Sequence, residues 1–196
     1  MNTTQSVSSH RKFWKTALLF GAAHFLVMSY GAFVIELFKG GCQWIIPAYF
    51  MALPVMLSIL TLRRFGAGTA VFLPYAIIGF FAVYYTDYAT YHTMFTPWGA
   101  VAWSAGGLLT GLLADLTYRF LPRGVSEKWR AILVGMVIGV GIYLTPLITM
   151  TFFYVPQPLE SHYSMFTSGI LYSLSWLVVN GGFAGYTAYA MTKGVD

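Results

Sequence analysis

Six long apolar runs alternate with short polar segments along the chain, at Thr16–Leu37, Trp44–Leu62, Phe65–Tyr85, Pro97–Phe120, Ala131–Tyr154 and Phe166–Met191. Each holds about 20 residues, the length an α-helix needs to cross the hydrocarbon core of a bilayer. The pattern predicts an all-α integral membrane protein, a bundle of six transmembrane helices. Pro47, Pro54, Pro74 and Pro146 fall inside runs two, three and five. They are expected to kink their helices rather than end them, because neighbouring helices can satisfy the carbonyls a proline frees. Residues 1–12 are polar and expected to form a loosely ordered cytoplasmic tail. Residues 13–196 then make a single six-helix membrane domain with no internal repeat or low-complexity tract.

Composition strengthens this reading. The chain is 58% hydrophobic and 9% charged, against about 45–50% and about 25% in a soluble domain. Its net charge of +5 does not point to nucleic acid, because the basic residues lie between the apolar runs. With the N-terminus inside, the cytoplasmic segments carry Arg11, Lys12, Lys15, Arg63, Arg64, Arg119, Arg123, Lys128, Arg130 and Lys193. The outer segments carry Lys39 alone. That bias places both termini in the cytoplasm and requires an even number of helices. The basic patch His10, Arg11, Lys12 and Lys15 precedes an apolar run too long for a signal-peptide core and without a small-residue cleavage site. It is expected to remain as the first membrane helix. The one cysteine, Cys42, excludes an internal disulfide and a cysteine-based zinc cage.

Small residues recur at four-residue spacing: Ala17 and Gly21, Gly107 and Gly111, Ala131, Gly135 and Gly139, then Gly181 and Gly185. Such stripes let another helix approach closely. Packing within the bundle is the plain reading, and docking of a partner membrane protein is the sharper one, with Ala17 and Gly21 its best candidate. Asp115 continues the stripe of Gly107 and Gly111, and Arg119 follows one turn later at a spacing that suits an ion pair. His24 and Asn180 reach similar depths in runs one and six. They are expected either to join those helices by a hydrogen bond or to line a polar cavity.

The outer side is rich in aromatic, acidic and imidazole groups. Tyr84, Tyr85, Asp87, Tyr88, Tyr91 and His92 crowd one segment, with Trp98 after them. Tyr154, Glu160, His162 and Tyr163 occupy another, and Glu36, Gln43 and Trp44 a third. An interfacial belt of Trp and Tyr accounts for part of this. The acids and histidines among them point to a pocket for a small planar ligand, and three carboxylates against one lysine favour a neutral or cationic one. The substrate-binding candidates are Trp44, Tyr85, Asp87, Tyr91, His92, Glu160 and His162. Asp87, His92 and His162 could supply metal ligands. But Asp87 and His92, five apart, would face about 140° away from each other on a helix, and no His-x-x-x-His pair supports a metal. No nucleophile elbow, phosphate loop or pair of catalytic carboxylates is present. No catalytic residue and no cofactor is therefore expected, and uptake against a gradient would need work from another chain.

The stretch Ala17-Leu18-Leu19-Phe20-Gly21 resembles the small-x-x-x-small surface on the first helix of the S component, the substrate-binding subunit of energy-coupling factor transporters. Pro54 to Met56 and Leu62 to Ala67 resemble that family's short basic turn between helices two and three. Gly107 to Arg119 resembles the end of its helix four. The resemblance implies a six-helix fold with cytoplasmic termini and capture of a vitamin or vitamin precursor at the outer face. It also implies a transmembrane coupling subunit with ATPase subunits as partners, docked through Ala17 and Gly21. A bulky residue at Gly21 is then expected to abolish transport and spare binding. The aromatic, acidic outer side favours a thiamine-like or pyrimidine ligand. A second resemblance runs through Thr96-Pro97, Ala114 to Tyr118 and Pro158 to Glu160, which are similar to fragments of the membrane A subunit of archaeal ammonia monooxygenase. It implies a subunit of a copper-dependent oxidase complex. A ligand-free membrane scaffold is the third alternative.

Overall fold

Six helices and no strand account for residues 3–37, 45–79, 97–152 and 170–193, the part of the chain that the computed structural model describes. They are α1 (Thr3–Leu37), α2 (Ile45–Leu62), α3 (Ala67–Pro74), α4 (Pro97–Phe120), α5 (Glu127–Phe152) and α6 (Ile170–Thr192). Each coincides with one of the six apolar runs, so the all-helical architecture is as expected. The N-terminal residues differ from expectation: from Thr3 onward they are the first turns of α1 rather than a loose tail. Once a long helix is nucleated, adding residues to it costs little.

The prolines keep their helices. Pro54 and Pro146 sit inside α2 and α5. Pro74 ends the regular part of α3, which continues as a π-helical turn over Tyr75–Gly79. Proline has no N–H for the ladder and its ring crowds the preceding turn, which gives a physical reason for the wider turn here. At the opposite end of the molecule, two left-handed residues make the four-residue turn between α2 and α3. Arg63 (φ 47°) closes α2 by donating its N–H to the Ile59 carbonyl at 2.8 Å, and Gly66 (φ 91°) opens α3. Glycine takes that conformation freely; arginine does not.

Helix contacts close into a ring in the order α1, α3, α4, α5, α6, α2, with α2 also touching α3 and α5 across it. The shared core is built on Met56, Ile59, Val71, Val134 and Ile138, all fully buried or nearly so. Polar side chains are buried as well: His24, Ser58, Thr110, Asp115 and Thr145. Large apolar ones face outward, with Leu19 68%, Phe152 78% and Phe183 59% exposed. Among the described residues one helical segment, Glu127–Thr149, is by itself long and apolar enough to cross a membrane; Ala48–Leu62 and Ala67–Ile78 are apolar but shorter.

Candidate functional site

The seven substrate-binding candidates, Trp44, Tyr85, Asp87, Tyr91, His92, Glu160 and His162, all lie outside the described residues. The described part shows instead the packing of the helices and one end of the bundle.

The small-residue stripes all face other helices of the same chain. Those on α5 and α6 bring backbone against backbone. A methyl group on Gly135 would strike the Gly181 carbonyl oxygen, and one on Gly185 the carbonyl of Ala131. On α4, a methyl on Gly111 would come within 2.7 Å of the Thr69 Cα, and one on Gly107 within 3.1 Å of the Phe72 ring. The stripe on α1 also turns inward. Ala17 is fully buried, and a methyl on Gly21 would meet the Pro74 ring at 2.7 Å and the Val71 carbonyl oxygen at 3.0 Å. The face expected to dock a partner is therefore covered here by α3. A bulky Gly21 variant would disturb the bundle itself.

His24 is fully buried on α1. Its Nδ1 lies 3.1 Å from the Met51 carbonyl oxygen. A carbonyl only accepts, so Nδ1 carries the proton and Nε2 presents a lone pair. Among the described residues no hydrogen-bond partner meets that lone pair. The ring stands edge-on to Phe72 at 4.6 Å and Tyr75 at 6.1 Å between centroids, where α3 passes into its π-helical turn. The expected bond between His24 and Asn180 is not formed. His24 ties α1 to α2, and the Asn180 amide donates to the Trp176 carbonyl of its own helix at 2.8 Å.

Asp115 also has a different partner from the one its spacing suggests. Its carboxylate accepts from the N–H groups of Gly68 (2.8 Å) and Thr69 (2.9 Å) and from the Thr69 hydroxyl (2.7 Å). It thus caps the first turn of α3 from α4, supplying the acceptor that Gly66 lacks and placing negative charge at the helix's positive end. Arg119, the expected ion-pair partner, lies over the Phe65 ring at 5.5 Å.

Beside this cap a cavity of about 300 Å³ opens at the end of the bundle that carries the α2–α3 turn and the α4–α5 loop. Four arginines line it, Arg63, Arg64, Arg119 and Arg130, with Phe65, Tyr118 and Asp115 completing the wall. Arg130 is fixed by donating to the carbonyls of Tyr118 (3.2 Å), Leu121 (3.4 Å) and Pro122 (3.0 Å), which closes the C-terminus of α4. Arg63 pairs with Glu127 at 3.5 Å. Among the described residues no three His, Cys, Asp or Glu side chains gather as a metal would require; Asp87, His92 and His162 lie outside them.

The sequence alone assigns the arginines to topology, with an ion pair to Asp115 for Arg119 and a kink for Pro74, and gives Phe72 and Tyr75 no role. Convergence of Arg63, Arg64, Arg119 and Arg130 depends on which loops lie side by side. A walled-in histidine depends on which aromatics face it. Neither carries a local signature. Comparison with family models, with curated proteins and with solved structures gives no match.

Proposed function

We propose that this chain is the substrate-capturing subunit of a multi-protein importer. It is an integral protein of six spans in the cell membrane, with both termini cytoplasmic. It takes a small planar molecule, such as a vitamin or its precursor, from the outer side. The outward Leu19, Phe152 and Phe183 with buried polar groups, and the placement of nearly all basic residues between alternate runs, support the membrane part of this reading.

The observation that carries the capture part is the unfilled acceptor of His24. A buried polar atom without a partner costs stability and is retained where something else fills it. The ring packs against Phe72 and Tyr75, next to a π-helical turn, an irregularity frequent at functional sites. Beyond that turn the chain leads into the Tyr84–His92 segment with its tyrosines and Asp87. A ligand bearing an N–H donor, as a pyrimidine or thiamine-like molecule does, would sit between those aromatics and give its hydrogen to Nε2. Toward the cytoplasm, backbone contact between α5 and α6 and between α3 and α4 closes two seams. Release to that side is the task of a coupling subunit with ATPase subunits.

Thermal unfolding of the detergent-purified chain against a panel of vitamins and precursors tests the reading. A native-state ligand at a hundredfold excess over its dissociation constant stabilises by about 2.7 kcal/mol. We expect one organic compound to raise the melting temperature. In the His24→Leu variant that rise should vanish while the unliganded protein stays folded, because the substitution removes the unfilled acceptor. A panel without effect, or a rise that His24→Leu leaves intact, would count against the proposal. A rise with copper alone would favour the oxidase alternative.

A further inference from the structure

The arginine-walled cavity lies at the end of the bundle away from the capture site, and capture does not use it. We infer that it is a binding site for the phosphate headgroup of an anionic phospholipid of the cytoplasmic leaflet, an inference that rests on the membrane part of the proposed function.

Three observations carry it. The four guanidinium groups come from three separate places, the α2–α3 turn, the end of α4 and the first turn of α5, and meet around a single space of about 300 Å³. Loop arginines that only set topology need no common cavity. One acid, Asp115, stands in the wall with both oxygens bonded to α3, and with Glu127 paired to Arg63 the acids near the four arginines still number fewer than the guanidinium groups. The second observation is Arg63 itself, held at φ 47°. A cap of this shape usually takes glycine, and an arginine kept in a disfavoured conformation points to a use for its side chain.

The third concerns the rim. Phe65 lines the cavity and is 50% exposed, and the ring of Tyr118 lines it too. A charged recess bordered by outward aromatic surface fits an amphiphile, with its phosphate among the guanidinium groups and its acyl chains along the helices. Arginine forks suit phosphate oxygens better than lysine would. Free phosphate would satisfy the recess but leave the aromatic rim without a purpose.

Native mass spectrometry of the full-length protein, released from detergent with phosphatidylglycerol or with phosphatidylcholine, reads the site directly. Beforehand, membranes from the expressing cells are washed with carbonate. A chain that leaves the pellet would sink the membrane reading, and this inference with it. A chain that stays but binds both lipids equally would overturn this inference alone. We expect adducts with phosphatidylglycerol, and their loss by about fivefold in Arg119→Gln, the scale of one basic residue at a membrane surface. Arg63→Gly should weaken the adduct similarly without lowering the melting temperature, because glycine relieves the left-handed cap. Arg123→Gln removes the same charge from an exposed position outside the cavity wall and should leave the adduct intact. An equal loss there would reduce the effect to general surface charge. Displacement of the lipid by millimolar inorganic phosphate would identify a free anion as the ligand and overturn the lipid assignment.

Discussion

The α5–α6 and α1–α3 seams both use small residues four apart, yet they are closed by different atoms. Between α5 and α6, glycine faces glycine and the obstacle to any added methyl is a carbonyl oxygen or a Cα of the opposite helix. Between α1 and α3, Gly21 faces the ring of Pro74, and one turn further along α1 the imidazole of His24 fills the space with an unused acceptor. At Gly135, Gly139, Gly181 and Gly185 the first seam offers no side chain that could yield. The second is closed first by the Pro74 side chain, with the Val71 carbonyl oxygen a little further off, at 3.0 against 2.7 Å, beside a helix already loosened by proline. Under the proposed function, a subunit that admits a ligand and still holds together would use one seam of each kind, since interfaces with adaptable packing are the ones that move.

The same substitution in both seams makes the difference measurable, and the largest effect belongs to the rigid one. Gly135→Ala places a methyl on the Gly181 carbonyl, so α5 and α6 must separate. We expect a loss of about 3 kcal/mol or more, at the upper end of overpacking costs, in denaturation titrated with dodecyl sulfate from neutral detergent. Gly21→Ala is expected to cost less, about 1–2 kcal/mol, because Pro74 and the π-helical turn after it can shift. It should also change ligand-induced stabilisation, whereas Gly135→Ala should lower stability with and without ligand alike. Equal losses at the two positions would remove the distinction between the seams.

The six apolar runs and their small-residue stripes place the helices and mark their close-packing faces, since both are local patterns. Partner choice is not local. Ala17 and Gly21 suit a foreign helix as they suit a helix of the same chain, and only the ring order of the bundle puts Pro74 against Gly21. The partners of Asp115 and His24 escape the sequence for a related reason. Their partners are backbone groups, the N–H of Gly68 and Thr69 and the carbonyl of Met51, and every residue owns such groups. Spacing to Arg119 or depth alongside Asn180 is visible in a sequence; a helix end brought close by folding is not. The first turns of α1 show the converse error, because polar residues attached to a long helix can continue it.

A third seam, between α4 and α5, sharpens the comparison with the smallest effect. Here Gly106 meets Pro146 closely, but hydroxyls also cross the gap. Those of Thr110 and Thr145 lie 2.6 Å apart, and both reach the Gly106 carbonyl, at 3.0 and 2.6 Å. The arrangement looks like a lock. Yet the Thr145 hydroxyl also reaches the Gly141 carbonyl of its own helix at 2.8 Å, so an α5 that separates from α4 still satisfies it. Interhelical hydrogen bonds in membranes average about 0.6 kcal/mol for this reason. Thr145→Val keeps the shape and β-branching and should cost about that much in the same titration, because Thr110 retains its bond to Gly106. A loss above about 2 kcal/mol, beyond the measured range for such bonds, would mean that the hydroxyls hold the seam. The rigid part of the bundle would then extend from α6 through α5 to α4, leaving the α1–α3 side to open alone.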